Sequence, residues 1–120
     1  MSPEEIDPTP SPEQTKRIRE LNDAFRKGGG ITGRFMMTAG VQALGPLIVA
    51  ELYRLVMRYD VFTEDNDPHG EHDFGSIELG GRKFFWKIDT YDKALQYGSP
   101  DPADPAVTTR VLTLMLAEEY

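Results

Sequence analysis

Gly80-Gly81, set between two runs of strand-forming residues, is the feature that most constrains this chain. A two-residue type I′ hairpin turn needs positive φ at both central positions, and a glycine pair supplies it without strain. The turn sets the register. Leu79 then pairs with Arg82, Glu78 faces Lys83 as an opposite-charge pair, Ile77 faces Phe84, and Gly75 faces Trp86, whose indole can cover the bare backbone. Side chains alternate along a strand, so Ile77, Leu79, Phe84, Trp86 and Ile88 share one face, which must be the core face. The other face carries Phe74, Ser76, Glu78, Lys83, Phe85 and Lys87, a mixed set. If pairing continues two residues past Phe74, His72 lies across from Asp89; a bulge at Gly75 would break the register.

Helical signals flank the hairpin. Ser11, Pro12 at the first helical position and Gln14 form a capping box, and Ile18, Leu21 and Phe25 recur at helical spacing. Arg26 and Lys27 suit the C-terminal end of that helix dipole, and Gly28-Gly29-Gly30 stops it. A short strand is expected from Arg34 to Ala39, with Phe35 and Met37 on one face and its place in the sheet beside Arg82–Asp89. No Gly-Lys-Ser/Thr follows the glycines, and the strand comes after them, which argues against a phosphate-binding loop. A second helix runs from Pro46 to about Tyr59, with Ile48, Leu52, Leu55, Val56 and Tyr59 inward and Glu51, Arg54 and Arg58 outward. A last helix is expected from Asp104 as N-cap and Pro105 to the chain's end, apolar on nearly every side from Val111 to Ala117. Glu118 and Glu119 would then sit where the dipole disfavours acids. Ser99–Pro105 is a rigid turn-rich link, and Tyr91, Tyr97 and Phe85 could form an exposed aromatic patch.

The expected architecture is α+β: a small antiparallel sheet of hairpin plus one strand, packed against about three helices in the order α-β-α-β-β-α. With 120 residues, 39% of them hydrophobic, the chain reads as one domain over residues 11–120 behind a disordered, acidic, proline-rich leader at residues 1–10. That leader is the opposite of a signal peptide, and no apolar run approaches the roughly 18 residues needed to span a bilayer, so a cytoplasmic protein is expected. The absence of cysteine removes disulfides, thiolate metal sites and a cysteine nucleophile.

The net charge of −7 disfavours direct binding to nucleic acid or an anionic membrane. It is unevenly placed. Residues 1–60 balance eight Lys/Arg against eight Asp/Glu, while residues 61–120 hold five against twelve. The densest part, Glu64 to Asp73, has five acids, two histidines and no basic residue.

That loop holds the candidate functional residues Asp65, Asp67, His69, Glu71, His72 and Asp73, with Asp89 and Asp92 nearby in the register. Three uses compete. His69 and His72 with the carboxylates could bind zinc or a similar ion, although the spacing is not that of His-Glu-x-x-His. A calcium loop half fits, with Asp65, Asp67 and Gly70 at loop positions 1, 3 and 6 but Ser76 where the bidentate glutamate belongs. Alternatively His72, oriented by Asp89 and joined by Asp92, could act as a general base, with Ser76, Thr90 or water as the only nucleophiles in view. The third use is structural: Asp and Asn cap turns, Pro68 and Gly70 shape the loop, and the histidines lock the hairpin onto the helices.

The string Asp-Asn-Asp-Pro-His-Gly-Glu-His-Asp-Phe-Gly from Asp65 to Gly75 resembles a family of short bacterial proteins catalogued as a domain of unknown function. Arg17 to Arg26, Phe85-Trp86-Lys87-Ile88-Asp89 and Val111 to Tyr120, ending Met115-Leu116-Ala117-Glu118-Glu119-Tyr120, carry the same resemblance, which covers about residues 15–120. It implies a stand-alone bacterial domain, often on plasmids and other mobile elements, and no particular activity. It also implies that the His72 loop and the terminus form one signature, so that Glu118, Glu119 and Tyr120 fold back near the loop or hairpin.

The function expected is a non-enzymatic binding or regulatory module whose acidic loop and mixed hairpin face meet a protein partner. Its acidity suits a basic, nucleic-acid-handling partner, as for an inhibitor imitating DNA. The alternative is a small metal- or histidine-dependent enzyme built on His69, His72 and Asp89; no other cofactor is expected. A uniform negative stripe would favour the first reading, and convergence of both imidazoles with a carboxylate would favour the second.

Overall fold

The structure, a computed structural model, describes residues 10–120. Apart from Pro10, the expected disordered leader lies outside the described residues. Helix α1, Pro12–Lys27, begins as its capping box dictates: the Gln14 backbone N–H donates to Ser11 Oγ at 3.2 Å, and the Ser11 N–H to Gln14 Oε1 at 2.9 Å. Its inward residues are Ile18, Asn22, Phe25 and Arg26. Ile18 and Phe25 of the expected apolar stripe are thus buried and Leu21 is half-buried, while two polar side chains, Asn22 and Arg26, also face the interior.

Strand β1 covers Arg34–Met37 and stops short of Ala39, because Thr38 caps a one-turn helix, α2 (Ala39–Gln42), by accepting the Val41 N–H on its hydroxyl. Helix α3, Pro46–Met57, buries Leu52 and Val56 and ends two residues before Tyr59; Ile48 is exposed. The hairpin forms in the expected register, with β2 (Phe74–Leu79) against β3 (Arg82–Tyr91), and Gly80 and Gly81 at φ of 61° and 79°. No bulge interrupts it. The pairing stops at Phe74 opposite Lys87, and the Ile88 N–H then bonds the Asp73 carbonyl at 2.8 Å. His72 turns away at φ 55°, so it does not lie across from Asp89.

The expected last helix is instead a strand. Asp104 and Pro105 start only a single 3₁₀ turn, Pro105–Val107, after which β4 runs Thr109–Leu116. Thr108, Thr109, Val111 and Thr113 are β-branched and favour extended chain. The apolar character on nearly every side has another cause: β4 is central in the sheet. Leu112, Leu114 and Leu116 enter the core on one face, and Met115 on the other is only 5% exposed. A continuous apolar run of this length fits a buried helix and a buried strand equally well.

The sheet order is β1-β4-β3-β2, with β1 parallel to β4 and the other pairs antiparallel. The fold is thus α+β, but its sheet is mixed and four-stranded. β1 sits beside β4 because β4 already occupies the edge of β3 where β1 was expected. Glu118 and Glu119 fall in a closing 3₁₀ turn, Ala117–Glu119, rather than at a helix C-terminus, so the expected dipole penalty is absent there. The core joins Phe25, Val41, Leu52 and Val56 to the Trp86 face of the sheet. Among the described residues no helix covers the opposite face, and none is long and apolar enough to cross a membrane.

Candidate functional site

The loop from Asp60 to Asp73 is held on α1 by a chain of polar contacts. Asn22 Nδ2 donates to the Glu71 carbonyl at 2.9 Å and Arg19 Nη1 to that of Gly70 at 3.0 Å. Asp23 accepts from His72 Nδ1 at 2.9 Å and from Arg26 Nη2 at 3.0 Å. The His72 ring lies flat on Phe62, centroids 3.7 Å apart, and Asp67 accepts the His72 backbone N–H at 3.3 Å with its carboxylate 3.6 Å from Nε2. Thr63 and Asn66 brace the loop's start through reciprocal side chain–backbone hydrogen bonds. His72 is therefore a clamp between helix and loop, with Asp23 as its acid rather than Asp89. Asp92 is occupied elsewhere, accepting the Gln96 N–H at 3.0 Å in the turn after β3.

His69 is exposed and takes no part in the contacts that hold His72. Among the described residues no cluster of three or more His, Asp or Glu side chains is placed to hold a metal ion.

The helix-free face of the sheet carries an open groove of about 690 Å³. Thr113, Met115 and Lys87 line it from β4 and β3, Thr38, Glu119 and Tyr120 from the far end, and Asn66, Pro68, His69, Asp73 and Asp89 from the loop side. Of the residues singled out by sequence, His69, Asp73, Asp89, Glu119 and Tyr120 meet here. Asp67 and His72 belong to the clamp, Asp65 is exposed, Glu71 is half-buried and tied by its backbone, and Glu118 pairs with Arg82 at 3.0 Å.

Phe74, a groove wall, packs on Phe85 at 5.1 Å, and Tyr120 meets both rings edge-on at 5.6 and 5.4 Å. The aromatic patch is therefore Phe74, Phe85 and Tyr120. Tyr97 is exposed in the turn after β3, and Tyr91 is half-buried at the strand's end. Phe74 and Phe85 could have been grouped from hairpin parity alone. Thr38, Thr113 and Met115 could not, because they depend on the β1–β4 pairing.

The groove is short of positive charge. Lys87 is its single Lys or Arg, and its Nζ is engaged by Asp89 at 3.1 Å, while Asp73 and Glu119 add two more carboxylates. Burial pushes the Asp73 carboxyl up, and the negative charges of Asp67 and Asp89 push the same way. Burial and Asp73 raise that of Glu71. Glu119 is held low by hydrogen bonds from the Thr38 hydroxyl at 2.6 Å and the Leu116 N–H at 2.7 Å.

A carboxyl raised above its ordinary 3.8 binds its proton more tightly folded than unfolded; its stabilising contribution is present below 3.8 and is lost as pH rises through the folded value. Asp73→Asn should therefore raise stability at neutral pH and leave it nearly unchanged at about pH 3. Urea midpoints at both values check this, and a neutral-pH loss would refute it.

The chain matches a family model described as "Protein of unknown function (DUF3768)" over residues 37–119, from the last residue of β1 to Glu119. The match takes in the loop, the hairpin and most of the groove; α1 precedes it. No curated protein and no solved structure matches the chain. The match spans well over half of the sequence, and the chain belongs to this family of proteins of unknown function.

Proposed function

We propose that this protein is a non-enzymatic binding module whose helix-free sheet face takes a short basic segment of a partner protein. The observation that carries the reading is the joining of an aromatic wall (Phe74 and Tyr120, backed by Phe85) to the carboxylates Asp73, Asp89 and Glu119 in one open groove. Aromatic faces and carboxylates together favour lysine and arginine side chains. The protein's own Lys83 already places its Nζ 5.7 Å from the Phe85 ring centre. Tyr120 is 75% exposed even with its ring edge-on to Phe74 and Phe85, so most of its surface is open to a partner.

Recognition is local rather than DNA-like. Asp23, Glu51, Asp89 and Glu118 are each answered by a neighbouring Arg or Lys, which argues against one long negative stripe. The clamp on α1 fixes the loop carrying His69 and Asp73, so the groove's loop side is set before a partner arrives.

The test is titration with an oligolysine peptide, an oligoglutamate peptide and a neutral peptide of equal length, followed by amide shifts. Oligolysine should move signals of Phe74, Phe85 and Tyr120, more weakly at high salt. Tyr120→Ala should lower its affinity by about tenfold, as for an exposed aromatic contact residue. Equal binding of the acidic peptide, or an unchanged affinity for Tyr120→Ala, would refute the reading.

A further inference from the structure

A second cavity, sharing no residue with the groove, lies between α1 and the start of β4 and encloses about 380 Å³. Its notable member is Arg110. The alternation along β4 puts Arg110 on the core face with Leu112 and Leu114, and only 6% of it is exposed. A guanidinium so placed normally has a carboxylate partner, because an uncompensated buried charge is costly. Here none of the described carboxylates lies within 4.0 Å of it. Nε donates to the neutral Asn22 Oδ1 at 2.7 Å and Nη2 to the Pro102 carbonyl at 2.6 Å, leaving Nη1 without a hydrogen-bond partner among the described residues.

Other positive charge gathers around it. Lys93 lines the same cavity, and burial followed by the nearby Arg17 charge holds the Arg110 pKa below its ordinary value, with the Glu71 charge opposing them in part. The cavity's remaining lining supplies an apolar body-sized wall, Leu21, Phe25 and Pro105, together with the hydroxyl-bearing Thr32 and Thr108. In a chain of net charge −7, two cations lining one largely apolar cavity stand out against the general field.

We infer that this cavity is a binding site for a small organic anion, its charged head on Arg110 and Lys93 and its apolar body on Leu21 and Phe25. The site goes beyond the basic-segment groove in both place and charge. Its volume is in the range of small-ligand pockets, and its lining combines an apolar wall with a few polar groups. A forked guanidinium with an unused N–H suits a carboxylate or phosphate oxygen.

Phenylacetate, its neutral isostere phenylacetamide and inorganic phosphate separate charge from apolar contact. Phenylacetate should shift the amides of Thr32, Thr108 and Arg110 and raise the melting temperature. Phenylacetamide should do neither, and phosphate should bind at least about tenfold more weakly because it lacks an apolar body. Arg110 also holds Asn22 and Pro102, so its replacement would disturb folding; Lys93→Gln removes an exposed side chain instead. That variant should keep the parent melting temperature and bind phenylacetate about fivefold more weakly. Binding of phenylacetamide or phosphate as tight as phenylacetate, no shift with any probe, or full affinity in Lys93→Gln would overturn the site.

Discussion

Arg26→Ala should lower the unfolding free energy by about 3–5 kcal/mol, the range for breaking a buried charge network. The side chain is fully buried. Nη1 donates to the Val56 carbonyl at 3.2 Å, close to the C-terminal end of α3, and Nη2 bonds Asp23 at 3.0 Å. Its guanidinium carbon lies 5.5 Å from the Phe62 ring centre and 5.3 Å from that of Trp86. Alanine would orphan the carbonyl, remove one of the two partners of Asp23 and open a void between two aromatic rings. Each alone is worth a kilocalorie or more, on the order of the cost of an unmet buried acceptor. Arg26→Met separates these effects. It keeps a stem of similar length against the rings and loses only the polar contacts, so its cost should fall to about 2 kcal/mol. Urea denaturation of both variants decides the matter. A loss below about 1 kcal/mol for Arg26→Ala would mean that the guanidinium does not bridge α1 and α3.

Arg26 also shows where local sequence reading runs out. In the last turn of α1 a basic residue has an adequate local purpose, the helix dipole, and nothing nearby signals that it is interior. Its partners on α3 are 30 residues away. The loop is similar. Its turn-forming residues and the glycine at Gly70 are visible in sequence, whereas the acid that orients His72 is Asp23, 49 residues earlier. The hairpin lies at the other extreme. A two-residue turn and strict alternation determine every pair from Leu79–Arg82 to Phe74–Lys87, and the structure follows each of them. β4 fails for a definable reason: Val111 to Leu116 is an almost continuous apolar run, and Arg110 takes a core-facing position, so no apolar/polar alternation stands out in the sequence. Missing it hid the β1–β4 pairing, and with it the groove residues Thr38, Thr113 and Met115.

The hairpin yields the second large effect, Gly75→Ala, with an expected loss of about 3 kcal/mol. Gly75 has ordinary negative-φ strand geometry, so backbone strain is not the issue. The obstacle is Trp86, which pairs with it across the strands and lies over its backbone. A Cβ at Gly75 would meet the indole at Cε2, 2.5 Å away, and at Cζ2, 2.7 Å away. Trp86 is fully buried and fenced by Tyr59 at 5.3 Å and Phe62 at 6.2 Å, so the ring has nowhere to go. Trp86→Leu alone should cost about 3–4 kcal/mol through lost burial and a residual cavity. In the double variant the leucine leaves room for the new methyl, which in turn fills part of the void. The two losses should therefore fall short of additivity by at least about 1.5 kcal/mol, as expected for residues in contact. Simple additivity in a urea-denaturation cycle would show that Gly75 is required for its backbone rather than for the indole above it.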